Sequence, residues 1–299
     1  MVRRMQAHAE LEAQLSAAVA PRDAGLGEAL HYALFPAGAR SRPLLCLTLA
    51  EALGVAEAAL PAAVALELVH NASLVHDDLP QFDDADTRRG KASVQRAYGP
   101  AMALLVGDHL LASAFRVSAA VADEAVRRGL AEAACTLIRG QAMELSPSHD
   151  WRAYHAQKTA CLFAAAAEAP ARLAGLAPGP YAELGDAIGH SYQLADDLFD
   201  EAPAQADDDK PRGRDLANDR PNASLRLGRA EAEAAFLASL HRVRQSCEAL
   251  ACQAPALGAY IDTLLARFAA LALPESPSRP PAARGPRAAY APQPLAQPF

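Results

Sequence analysis

The chain has 299 residues, 52% of them hydrophobic, 21% charged and only 5% aromatic, with a formal net charge of −7. That length allows one large domain or two ordinary ones, and the negative balance argues against a general nucleic-acid binder. A composition rich in Ala and Leu and poor in aromatics favours helices over sheets.

In chain order, the opening "MVRRMQAHAELEAQL" has arginines but no apolar core after them, so no secretory leader is expected. Helical periodicity then recurs in "LEAQLSAAVA", "DAGLGEALHYALF", "RPLLCLTLAEALG" and "LPAAVALELVHNASLVH". It continues in "GPAMALLVGDHLLASAFRVSAAVA", "EAVRRGLAEAACTLIRGQAMEL", "WRAYHAQKTACLFAAAAEAPARLAG" and "PYAELGDAIGHSYQLADDLFDE". The last runs are "RAEAEAAFLASLHRVRQSCEALA" and "LGAYIDTLLARFAALAL". Gly, Pro, Asn and Asp punctuate them, and no run alternates as a strand would. The expectation is an all-α bundle over residues 1–272. "EAPAQADDDKPRGRDLANDRPNAS" reads as a surface loop or lid, and the Pro/Ala-rich tail 273–299 as disordered. No stretch approaches the roughly 18 uninterrupted apolar residues of a membrane span, so no transmembrane segment is expected. Cys46, Cys135, Cys161, Cys247 and Cys252 lack metal-ligand spacing and mostly sit in apolar runs, which points to reduced thiols and a cytoplasmic location.

Two helical runs end in a way that local physics disfavours. The negative end of a helix dipole prefers cations, yet Asp77 and Asp78 close one run just before Pro80, with Asp83 following. Asp196, Asp197 and Asp200 close another, at spacings that set their carboxylates along one helix face. One such cluster is as easily a solvated helix end. A pair of them is a candidate Mg²⁺ site, because Mg²⁺ takes one or two carboxylates and completes its shell with water and phosphate oxygens. Basic residues supply the other half of an anion site: Arg40 and Arg42 in "GARSRP", Arg88, Arg89 and Lys91 in "TRRGK", and Lys158 within an apolar helix. Singly, each arginine reads as a surface charge, and Lys158 could snorkel.

"ELVHNASLVHDDLPQFDDADTRRGK", followed in order by "GDHLL", "GQAMEL", "QKTA" and "YQLADDLFDE", resembles the trans-prenyltransferases, or polyprenyl diphosphate synthases. The likeness runs over roughly residues 25–270. It implies the isoprenoid synthase helical bundle around a central cavity, Mg²⁺ as cofactor and a homodimer. It also implies that Asp77, Asp78, Asp83, Asp196, Asp197 and Asp200 are the metal-binding aspartates, not all in direct contact. Arg88, Lys158, Thr159 and Gln193 correspond to positions that hold the allylic diphosphate, and Arg42, His70 and Arg89 to the isopentenyl diphosphate site. Lys210 joins the substrate-binding set, and the catalytic set is Asp77, Asp78, Asp83, Lys158, Asp196 and Asp197.

The implied reaction is ionisation of the allylic diphosphate, attack by the double bond of isopentenyl diphosphate, and loss of a proton. Ala72 and Ser73 precede Asp77 by about 6–7.5 Å of helix rise, and their small size lets a growing chain pass where an aromatic would block it. The expected product is geranylgeranyl diphosphate, C20. Two departures stand out. "AGARSRP" has Ala39 where the family has lysine, and "RPNAS" follows "RGRDLAND" where a lysine motif is usual, with Arg220 in place of its charge. The lysine-less form also resembles synthases of carotenoid-making phototrophs. Farnesyl diphosphate synthesis, another class I terpenoid chemistry, and a non-catalytic regulatory subunit of a prenyl synthase stay open at this point.

Overall fold

A computed structural model describes residues 2–20, 25–36, 38–145, 150–201, 213–217, 220–251 and 255–273. Lys210, Cys252 and the tail beyond Leu273 lie outside the described residues. The helices in order are α1 (Val2–Ala18), α2 (Leu26–Leu34), α3 (Ser41–Ala52), α4 (Ala56–Asp77), α5 (Val94–Tyr98), α6 (Pro100–Ser118) and α7 (Glu124–Ala142). After a 3₁₀ turn at Met143–Leu145 come α8 (Trp151–His155), a π-helical turn (Ala156–Ala160) and α9 (Cys161–Leu173). Then follow α10 (Gly179–Glu201), α11 (Arg214–Ala217), α12 (Ala223–Leu227), α13 (Arg229–Ala251) and α14 (Pro255–Ala272). The strands among the described residues are a two-residue hairpin, β1 (Thr87–Arg88) paired antiparallel with β2 (Lys91–Ala92). The all-α expectation holds among the described residues.

Side-chain oxygens start several of these helices. Ser93 accepts from the Arg96 amide, Asp123 from Val126, Asp150 from Arg152 and Ala153, and Asn222 from Leu225. Such caps fill orphan amides and are worth about 1 kcal/mol each. α4 is the central helix: Ala62, Ala63, Val64, Leu66, Leu68 and Ala72 are buried on successive faces, so it needs neighbours all round. It packs on α3, α6 and α9, while α10 packs on α9, α13 and α14. The Tyr260 hydroxyl donates to the Ser41 carbonyl at 2.7 Å and ties α14 to the start of α3.

Two helices bear on the expectation of no transmembrane segment. α4 and α6 both contain windows long and apolar enough to cross a membrane, with mean hydropathy 1.4 and 1.2. In α4, 67% of that window is buried inside the protein, which accounts for its character. The α6 window is only 39% buried, and Leu104, Leu105 and Phe115 face outward.

The π-turn interrupts what reads in sequence as one helix. Glycines flank it on both sides: a Cβ on Gly140 of α7 would lie 2.4 Å from the Lys158 amide nitrogen, and one on Gly189 of α10 would lie 2.3 Å from Ala160 Cα. Both neighbours are backbone, which cannot swing aside. Gly140→Ala or Gly189→Ala should therefore cost about 1–3 kcal/mol by overpacking. Gly129→Ala, in α7 with nothing within 4 Å of the added Cβ, should instead gain about 0.5–1 kcal/mol. Denaturation midpoints of the three variants check both signs.

Candidate active site

α4 delivers Asp77 and Asp78 to its C-terminal end, and the chain then turns back on itself. The amides of Asp83 and Ala85 donate to the carbonyls of Asp77 and Asp78 at 2.9 and 3.1 Å, so the first aspartate cluster is a closed turn rather than a frayed end. Each carboxylate meets a cation from a different part of the chain. Arg88, on the hairpin, forks onto Asp78 with Nη2 at 2.6 Å and Nε at 3.0 Å from Oδ1. Arg220, just before α12, pairs with Asp83. Lys158, in the π-turn, stands 3.8 Å from Asp77.

Asp77 is the least satisfied of the three. Its Oδ1 is buried and makes no hydrogen bond. Burial pushes its carboxyl above the ordinary range, opposed by Lys158 and reinforced by Glu144 and Asp83. For Asp83 burial also raises the pKa, but Arg220, Lys158 and Arg88 more than cancel it and hold it below the ordinary range. A buried hard oxygen with no donor is what a divalent cation requires, so the donor set fits one. Among the described residues no three acidic, His or Cys side chains converge on a single ion, so a cation here would be shared with phosphate oxygens.

The hub between the cations is Glu144, at the end of "GQAMEL". Its side chain is 3% exposed. Oε1 accepts from Lys158 and from the Tyr154 hydroxyl at 2.5 Å; Oε2 accepts from Gln141 at 3.0 Å and lies 3.4 Å from Arg220. Burial works against the charge on Lys158, but Asp77 and Glu144 outweigh it and raise its pKa. Arg220 is shifted the same way by Glu144 and Asp83.

In the second cluster the three aspartates do different things. Asp196 is half-buried. Asp200 accepts the Asp215 amide through Oδ2 at 3.0 Å. Asp197 is completely buried, and both its oxygens are engaged, by His155, Gln193 and the Ala223 amide. It was expected among the metal-binding and catalytic residues; in the structure its two carboxylate oxygens accept from these protein donors. Gln193 also accepts from the Thr159 hydroxyl at 2.7 Å, which brings these two expected allylic-site residues together beside Asp197.

The expected isopentenyl diphosphate residues meet two turns earlier on α4, around His70 and Asn71. The Arg42 guanidinium lies 4.5 Å from the Phe163 ring centroid, and its buried Nε has no hydrogen-bond partner. Nη1 faces His70 Nε2 at 3.2 Å. Arginine only donates, so that nitrogen is the acceptor and Nδ1 is the ring's donor. Burial, with Arg42 and Arg89 adding to it, pushes the His70 pKa well below the usual value, in keeping with a neutral ring. Arg89, at φ 54°, donates to Asn71 Oδ1 at 3.3 Å and lies against Gly38, where a Cβ would come within 2.6 Å of Cζ. Its guanidinium thus sits against Gly38, the residue before Ala39. Arg40 takes no part in an anion site: it is buried and spent on Glu12 at 2.8 Å and Glu67 at 2.7 Å. Lys91 is likewise tied to the carbonyls of Tyr32 and Phe35, and burial beside Arg89 lowers its pKa to about 8.

Below Asp77, Ala72 is fully buried and Ser73 bonds back to the His70 carbonyl at 2.9 Å. Nearer the start of α4 there is a separate small hollow between α4 and α6, lined by Leu66, Val69, Ala114, Phe115, Leu130 and Leu162 among others.

Sequence reasoning left Glu144, Tyr154, His155 and Asp215 unassigned. Asp215 is a further carboxylate of the second cluster, pushed up to about 7 by burial and by Asp200 and Asp197. Glu144 carried a usable signal, an acid closing an apolar helix as Asp77 does; His155 lies within one turn of Lys158 in an otherwise apolar run.

This chain is similar to several known proteins. It is 43% identical over 237 residues to the geranylgeranyl diphosphate synthase of Rhodobacter capsulatus, covering 73% of this chain and 81% of that one. It superposes on the geranyltranstransferase of Thermotoga maritima with a TM-score of 0.76 at 30% identity, over 90% of this chain and 98% of that one. A Caulobacter crescentus polyprenyl synthase, solved with calcium and isoprenyl diphosphate, matches with a TM-score of 0.69 at 28% identity over 91% and 90% of the two chains. The polyprenyl synthetase family model matches residues 23–254, and with that span and these relatives the chain belongs to the polyprenyl synthetase family.

Proposed function

We propose that the chain is a geranylgeranyl diphosphate synthase, a trans-prenyltransferase that adds isopentenyl diphosphate to allylic diphosphates up to C20. The observation that carries this is the cleft itself. Each carboxylate at the end of α4 is paired with a cation suited to diphosphate, Arg88, Arg220 or Lys158, and the segment that carries Arg220 is fastened to Asp197 of α10 through the Ala223 amide. The kinship with the Rhodobacter capsulatus synthase supports the product class.

Asp77, Asp83 and Asp196 would hold the divalent cations, which we take to be Mg²⁺; bound there, such ions neutralise charge on a departing diphosphate. Arg88, Lys158 and Arg220 are the chain's own contribution to the leaving group. Each is held by carboxylates in a buried setting, so little reorganisation is needed when anionic charge builds nearby. Arg42, Arg89 and the Nδ1–H of neutral His70 hold isopentenyl diphosphate, with Asn71 steadying Arg89. The C1–O bond of the allylic substrate breaks, the isopentenyl double bond attacks C1, and a proton leaves the adduct. We assign that proton to the released diphosphate. The product descends past Ala72 and Ser73 toward the hollow between α4 and α6.

The exposed apolar residues Leu104, Leu105 and Phe115 of α6 and Ile138 of α7 support a homodimer through that face. A cytoplasmic location is supported by the free thiols of Cys46, Cys135, Cys161 and Cys247.

Three outcomes test the reading. The purified chain, given Mg²⁺, labelled isopentenyl diphosphate and C5, C10 or C15 allylic starters, should form a C20 product that disappears with chelator. A C15 end product would make it a farnesyl diphosphate synthase, and no incorporation by folded protein would make it a subunit dependent on a partner. Ala72→Tyr should stop elongation at C15 by chromatography, and an unchanged C20 product would remove Ala72 as a length determinant. Ala39→Lys should add about 1 kcal/mol of ground-state binding, read as an about fivefold lower KM for isopentenyl diphosphate at unchanged kcat.

A further inference from the structure

Asp197 and its neighbours form a connection that the reaction, as described, does not use. Asp197 Oδ2 accepts twice, from His155 Nε2 at 2.9 Å and from the Ala223 amide at 2.7 Å. Oδ1 accepts from Gln193 Nε2 at 3.1 Å. Because a carboxylate only accepts, Nε2 is the protonated nitrogen of the His155 ring. His155 is 0% exposed, and its Nδ1 has no hydrogen-bond partner. Burying a ring nitrogen unsatisfied costs stability, so an apolar side chain would pack there at lower cost unless the Nε2 contact does something.

The contact holds the start of α12. Ala223 lies three residues beyond Arg220, whose guanidinium pairs with Asp83 and stands 3.4 Å from Glu144. The intervening chain is stiff. The Arg220 amide donates to the Asp215 carbonyl at 2.9 Å, Asn222 donates to the Asp215 carboxylate at 2.8 Å, and Asn222 also caps α12. Beyond Arg220 the backbone is fastened to α10 through the Ala223–Asp197 bond.

We propose that His155 is a positioning residue. Through Asp197 it fixes residues 220–223, and so sets the Arg220 guanidinium across the cleft between Asp83 and Glu144. This rests on the prenyl-transfer reading above and adds to it a residue that touches neither substrate. The competing account is packing, since His155 also meets the Trp151 ring edge-on at a centroid distance of 5.1 Å.

Substitutions of graded reach separate the two. His155→Gln places an amide N–H near the Nε2 position, His155→Asn is one bond too short, and His155→Met fills the space without a donor. The Met and Asn variants should lower kcat about 10–100-fold, the usual effect of losing a hydrogen bond that orients a functional group. KM for isopentenyl diphosphate should stay within about twofold, and the Gln variant should recover kcat to within about threefold. Hydrogen exchange of the peptide 220–227, without substrate, should quicken in the Met variant and stay unchanged in the Gln variant. In an Arg220→Ala background, His155→Met should cost nothing further. Wild-type kcat and unchanged exchange in the Met variant would overturn the proposal. So would losses that add fully to that of Arg220→Ala, or that track Tm across all three variants. If the wild-type chain formed no product, the prenyl-transfer reading would fall instead, and the exchange measurement would still decide whether His155 holds the segment.

Discussion

A helix that ends in Asp77 and Asp78 can be buried only if cations reach it from elsewhere in the chain. The dipole of α4 already places partial negative charge there, and the two carboxylates add to it. Local sequence provides Arg88, one turn of hairpin away, for Asp78. The others come from far off: Lys158 from the π-turn, and Arg220 from the segment before α12. A buried carboxylate that loses its partner costs several kcal/mol, so these pairings constrain where the remote segments can lie. The arrangement of α7 to α12 around α4 is therefore also an arrangement of counter-ions. Glu144 makes it self-consistent, because it keeps Lys158 and Arg220 charged and apart.

How much of this is legible in the sequence depends on whether a residue breaks a local rule. The aspartate clusters are legible because acids at helix ends contradict the dipole. The helices are legible from their periodicity, though the π-turn is not: an apolar run passes smoothly through "HAQKTACLF", and only the close approach of Gly140 and Gly189 reveals the widened turn. Arg40 reads as a site cation beside Arg42, yet it is spent on Glu12 and Glu67; its fate depends on α1 and α4, far away in sequence. Asp197 shows the same limit in reverse. Its spacing from Asp200 is right for a ligand, and its hydrogen bonds from His155 and the Ala223 amide appear only when those residues are brought beside it.

The two groups of cations near the end of α4 solve anion binding differently. On the allylic side the cations are already neutralised by carboxylates and would exchange partners when a diphosphate arrives. On the isopentenyl side, Arg42 is desolvated against Phe163 with a donor unused, and burial lowers its pKa. Arg40, Glu67 and Asn71 form a chain of hydrogen bonds that steadies Arg89 there. One side stores its cations as ion pairs, and the other stores an unmet donor.

The π-turn also bears on how this chain could change over generations. An α-helix closes its hydrogen bonds after four residues and a π-turn after five, so Ala156–Ala160 holds one residue more than a regular helix needs. Deleting any residue between Tyr154 and Phe163 would let the helix close normally. The helices on either side would keep their register, because the widened turn is what takes up the extra residue. The change would fall inside the turn, where Lys158 reaches Glu144 and Thr159 reaches Gln193. A one-residue deletion there would spare the bundle and disturb the site, so the length of this turn is held by the chemistry it carries rather than by the packing around it.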